Sequence, residues 1–159
     1  MKYILIPCCI FIVPFNHALA QVTRFAFNQK VTTLSSFISQ KNASGESDVL
    51  SILDNMMMNQ INYLNSGIIS LGKKYSADTI KANADLKSAK SSPDPNSPQM
   101  IAARNEGKQA TLELNIITQN KNNLATDRTI YNNIQPLRRN IPGNAAGLIN
   151  YLNQFAETL

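Results

Sequence analysis

Cys8, Cys9 and His17 are the only side chains in the sequence that could act as a thiolate nucleophile, an imidazole base or a Cys/His zinc ligand. All three fall within the first twenty residues, so their chemistry belongs to the working protein only if that segment is kept. Residues 1–20 have the three parts of a secretory leader. Lys2 supplies the positive start, and "YILIPCCIFIV" is an apolar run of eleven residues. "HALA" then sets Ala18 and Ala20 at the small-residue positions of an A-x-A cleavage site. The apolar run falls short of the roughly 20 residues that a membrane-spanning helix needs. A retained N-terminal anchor is the competing reading. Acylation of Cys8 or Cys9 is excluded, because no Leu-small-small triplet precedes either. The expected cut lies between Ala20 and Gln21. It leaves a chain, 21–159, with no Cys, His or Trp, destined for the periplasm, cell surface or an extracellular pilus.

Carboxylates are then the remaining candidates for catalysis. Glu106 and Glu113 lie seven residues apart, as do Asp78 and Asp85. On a helix each pair would share one face, roughly 10.5 Å apart along the axis. Two carboxylates can serve as acid and base in glycoside hydrolysis, but inverting enzymes hold them about 6.5–9.5 Å apart. Solvated helix faces are the simpler reading. No Gly-rich phosphate loop, G-x-S-x-G elbow or calcium loop is present. The sequence therefore points to a protein that is not an enzyme and takes no cofactor or metal.

The elements that position these residues read as helices. No segment alternates apolar and polar residues far enough to be a strand, whereas four segments show helical spacing. The first, 25–40, carries Phe27, Val31, Leu34 and Ile38. "KNASGESD" (41–48) interrupts it, with Ser47 or Asp48 as the expected cap of the next helix. The second carries Val49, Leu53, Met57, Ile61, Leu64, Ile68, Leu71 and Tyr75 in steps of four and three. Gly67 and Gly72 weaken it, so it is expected to end near Gly72, with 77–90 as a continuation or a separate short helix. The prolines of "SSPDPNSPQ" break helix structure, which gives a Pro-rich turn at 91–98, with Pro98 able to open the next helix. The third segment, 99–134, would span roughly 54 Å. Its stripe is Met100, Ala103, Gly107, Ala110, Leu114, Ile117, Leu124 and Tyr131. After a turn at 135–144, Ala145, Leu148, Ile149, Leu152 and Phe155 form the last amphipathic helix. The expected fold is all-α: one domain, 21–159, folded as an elongated antiparallel helical bundle of two long helices with shorter N- and C-terminal ones.

With Lys2 removed, fourteen Lys and Arg outnumber ten Asp and Glu by four. The charge is spread out, with doublets only at Lys73-Lys74 and Arg138-Arg139, unlike the basic stripe of a nucleic-acid binder. No nucleic-acid partner and no stable membrane span after leader removal are expected. Nineteen asparagines and nine glutamines in 21–159 fit either surfaces that meet other subunits or the codon bias of an AT-rich genome. Three features are candidate partner surfaces. In "NMMMNQ" adjacent methionines lie 100° apart, so Met56 and Met58 flank the seam residue Met57, and Met58 is expected to face away from it; core filling is the simpler reading of the three, a partner-facing patch the sharper one. Ala103, Gly107 and Ala110 form a small-residue groove suited either to a helix of the same bundle or to a second subunit. Asp94 and Pro95 mark the exposed tip between the two long helices.

Three segments, "QVTRFAFNQKV" (21–31), "NQINYLNSGI" (59–68) and "NKNNLATDRTIYNNI" (120–134), carry a family resemblance. Together with the leader and the absence of cysteine from 21–159, they make the chain resemble the minor pilus subunits, or pilus-tip proteins, of type IV secretion systems. The likeness is to their short, 17-kilodalton-antigen form. The resemblance implies an elongated helical bundle with a small globular appendage, placed at the distal end of the secretion pilus. Other pilus and secretion-channel subunits, and a host cell-surface receptor, would be its partners. No functional residue carries over position by position. The bottom-up alternative is a soluble periplasmic helical binding protein, chaperone-like or a toxin inhibitor.

Overall fold

A computed structural model of the chain describes residues 15–89 and 94–159, with side chains from Arg24 onward. Four α-helices run in order: α1 (Phe15–Ser39), α2 (Ala43–Ala89), α3 (Pro98–Leu137) and α4 (Ile141–Thr158), with one 3-10 turn (Arg138–Asn140) before α4. No strand occurs among the described residues. Most of the expected leader, 1–14, lies outside the described residues. Ala20 and Gln21 lie in the backbone of α1.

Packing is cyclic: α1 lies against α2 and α4, and α3 lies against α2 and α4. This is an up-down-up-down four-helix arrangement. Its core takes Phe27, Val31 and Leu34 from α1, Val49, Leu50, Leu53 and Met57 from α2, Ile130 and Ile134 from α3, and Leu148, Leu152 and Phe155 from α4. The rings of Phe27 and Phe155 stack with centroids 5.4 Å apart. Burying each such side chain contributes about 1.5–3 kcal/mol, which offsets the weak helix propensity of the many asparagines.

Helix lengths set the shape. At 1.5 Å per residue, α2 and α3 span about 70 and 60 Å, whereas α1 and α4 span about 37 and 27 Å. The α2–α3 hairpin therefore runs on beyond the other two helices as an arm. A small cluster of Ile61, Leu64 and Leu124, flanked by Ile68 and Tyr131, marks its base. Helix α2 is continuous to Ala89 and does not end near Gly72 as expected. Packing against α3 outweighs the glycine cost of about 1 kcal/mol.

The turns are shorter than the sequence suggests. Lys41 adopts φ 56°. Its N–H donates to the Ile38 carbonyl (3.1 Å), and the Asn42 N–H donates to the Phe37 carbonyl (3.0 Å). This is a Schellman closure, with lysine at the position glycine favours. The cap of α2 is Asn42, whose Oδ1 accepts from the Gly45 N–H at 3.1 Å. Ser47 and Asp48, the expected caps, lie inside the helix. Gly45 is required here, because a Cβ would come within 2.7 Å of the Phe37 ring. At the other end, Ser97 caps α3 by accepting from the Met100 N–H, and Pro98 opens the helix, so the Pro-rich turn stops at Ser97. Among the described residues, no element forms the globular appendage that the resemblance implied.

Candidate functional site

Among the described residues, three of the four ion pairs lie along the α2–α3 hairpin. On α3 the seam follows a seven-residue repeat. One row is Ala103, Ala110, Ile117 and Leu124, all buried. The second row is Glu106, Glu113, Asn120 and Asp127. Glu113 and Asp127 are among the most buried side chains of the molecule. The expected stripe is corrected at two positions: Leu114 is 44% exposed, and a Cβ on Gly107 would meet open space. A polar row displaces them because α2 supplies partners for it. Lys74 pairs with Glu113 and Lys81 with Glu106, and Gly67 faces the Asn120 amide. Each rung lies seven residues farther along one helix and seven residues earlier along the other, so the register is antiparallel and regular.

These pairs tune the charges. Burial would push Glu113 up, but hydrogen bonds from Lys74 and Gln109 outweigh it and hold its carboxyl below the ordinary range. The hydrogen bond to Glu113 raises Lys74, and the one to Glu106 raises Lys81. Asp78 adds a third carboxylate, 3.7 Å from Lys74. A hollow of about 240 Å³ lies beside Asp78, Lys81 and Glu106. The arrangement keeps Glu113 ionised as a hydrogen-bond acceptor, which suits electrostatic fastening rather than proton donation at neutral pH. Among the described residues no group of three or more His, Cys, Asp or Glu could hold a metal ion.

Asp127 is the exception in the row. It is fully buried, and neither carboxylate oxygen has a hydrogen-bond partner. Burial pushes it above the ordinary carboxylate range; the nearby Thr158 hydroxyl, whose proton goes to the Phe155 carbonyl at 2.7 Å, opposes this without bonding to it. Sequence reasoning missed it, although it extends the seven-residue spacing of Glu106 and Glu113. It also missed the ion pair of Arg138 with Asp54 at 2.8 Å, which no local spacing signals.

The candidate contact residues are spread along the hairpin. Met57 is buried in the core, Met56 packs partly against it, and Met58 is exposed. Ala103 and Ala110 are covered within the seam, while Gly107 between them is half-buried at its edge. Asp94 and Pro95 are exposed at the tip, where Asp94 Oδ1 accepts from the Asn96 N–H at 2.9 Å. Beyond α1 and α4 the arm exposes Ile69, Ile80, Ile101 and Leu112. No described helix is long and apolar enough to cross a membrane. In comparisons with known proteins the chain matches no protein-family model, no curated protein and no solved structure.

Proposed function

We propose that the chain is an exported, non-catalytic subunit that works through protein contacts along its arm, as a minor component of the type IV secretion pilus. It assembles at or near the pilus tip and contributes to contact with host or recipient cells. One observation carries the contact role: a two-helix arm holds Ile69, Ile80, Ile101 and Leu112 in solvent, with Ile80 71% exposed. Eleven residues is close to three helical turns, so Ile69 and Ile80 return to one face of α2 and Ile101 and Leu112 to one face of α3. They make two short apolar rows open to a partner protein. The placement on a pilus rests on the resemblance of 21–31, 59–68 and 120–134 to that family.

Fractionation tests the placement. The protein is expected in sheared surface material and is expected to disappear from it when the secretion ATPase is deleted. Recovery in the osmotic-shock fraction regardless of that deletion would support the alternative, a soluble periplasmic helical binding protein. Gly107→Leu tests the arm. Open space at Gly107 accommodates the side chain, so the monomer is expected to fold while assembly is blocked. Unfolding of the monomer would assign that edge to the internal packing of the hairpin.

A further inference from the structure

The end of the bundle opposite the tip holds a cleft of about 770 Å³ between the α1–α2 turn and the α3–α4 turn. Its size is in the range of clefts that enclose small ligands or short peptide stretches. Ile38, Leu50 and Ile141 give it apolar walls, and Lys41, Arg138 and Arg139 bring three cations to it. Arg138 is held by Asp54 at 2.8 Å and Gln135 at 3.4 Å. Among the described residues the side chains of Lys41 and Arg139 have no hydrogen-bond or ion-pair partner.

The cleft also holds a carboxylate without a protein partner. Glu46 lines it, is only 5% exposed, and its carboxylate accepts no hydrogen bond and joins no ion pair. Its oxygens are not among the fully enclosed polar atoms of the described residues, so the carboxylate meets water through the mouth of the cleft and is free to accept a donor there. Near the start of α2, Glu46 gains some stabilisation from the helix dipole, but that leaves its hydrogen-bonding capacity unused. The occupant that completes this site must offer a negative group to Lys41 and Arg139 and an N–H donor to Glu46.

We propose that the cleft binds an acidic peptide segment of a partner protein. A side-chain carboxylate of the segment sits between Lys41 and Arg139, and a backbone N–H of the same segment donates to Glu46. Sulfate meets only half of these demands, since it carries negative charge toward Glu46 and has no proton to give. The proposal stands independently of the pilus placement.

Titration of the isotope-labelled protein by NMR tests it, with acetyl-Ala-Glu-Ala-Glu-Ala-amide as the probe. The Gln-for-Glu peptide and sulfate serve as controls. Saturable shifts are expected at the amides of Lys41, Glu46 and Arg139, with weaker or no saturation by either control. Lys41→Gly and Arg139→Gln are each expected to weaken the acidic peptide by roughly ten-fold or more, the scale of a charge-assisted hydrogen bond. Lys41→Gly keeps the test clean, because glycine tolerates the left-handed backbone and the variant should melt no lower than the parent. Binding of sulfate as tightly as the acidic peptide would overturn the proposal. So would shifts scattered over other basic residues, or unchanged affinity in both variants.

Discussion

The two ends of the α2–α3 hairpin differ in what fills the space between the helices. At the end joined by α1 and α4, the filling is Leu53, Met57, Ile134, Leu148, Leu152 and the two phenylalanines, all almost completely inaccessible. On the arm it is Ala103, Ala110 and a row of carboxylates under lysines. Four helices can enclose a dry interior, but two cannot. Along a two-helix seam a lysine can lay its methylenes over the interface while its ammonium stays in water, and the Lys74 side chain is 56% exposed and that of Lys81 65%. With Glu113 only 2% and Glu106 16% exposed, these half-buried pairs chiefly offset the cost of desolvating the carboxylates and add little net stability. Their directional contacts set pairing instead. Stability therefore resides at the four-helix end and register along the arm.

The largest expected effect strikes the dry end. Phe155→Ala removes the partner of Phe27 and should cost about 3–5 kcal/mol in denaturant or thermal melts. A loss below about 1 kcal/mol would break the contrast between the two ends. Gly45→Ala drives a methyl group into the Phe37 ring and should cost about 1–3 kcal/mol; an unchanged melting temperature would show that the ring gives way freely.

Asp127 and Glu113 sharpen the comparison through pH. Asp127→Ala removes a buried carboxylate that has no partner and should raise stability at neutral pH by about 1–3 kcal/mol. Because folding raises the Asp127 pKa, its contribution is full below the unfolded value near 4 and is lost as pH climbs through the raised one. Glu113 is lowered, so its contribution is present above about pH 4 and is lost as pH falls through the folded value. Melts from acid to neutral pH should show Asp127→Ala and Glu113→Gln altering the profile with opposite slopes. Slopes of the same sign would overturn the assignment. The smallest effect belongs to the outer face of the arm, where Ile80→Ser should stay within about 0.5 kcal/mol, as for other surface changes.

How far these features were legible in the sequence follows from where each residue finds its partner. The four-and-three steps of α2 are a local pattern, and Val49, Leu53, Met57, Ile61 and Leu64 are all buried as that pattern implies. On α3 the same reasoning went wrong at Gly107 and Leu114, because a glutamate or aspartate reads as a solvent-facing residue. What places Glu113 inside is Lys74, thirty-nine residues away. The α1–α2 turn was drawn too long, since neither a lysine in the left-handed region nor an asparagine cap is visible from apolar spacing. The end cleft was out of reach for the same reason: Lys41 and Arg139 come from two turns nearly a hundred residues apart.

The seven-residue cadence of the rungs has a mechanical consequence. Sliding α3 past α2 by one heptad would set Lys74 against Glu106, but it would also bring Glu113 to Gly67, where there is no cation to meet it. The register is therefore set like a rack with matched teeth, and a slip of two turns would part Glu113 from its lysine. The hairpin's reach from the closed end to Asp94 becomes a calibrated length of about 70 Å, the property wanted in a spacer that must hold a contact point at a set distance from its anchorage.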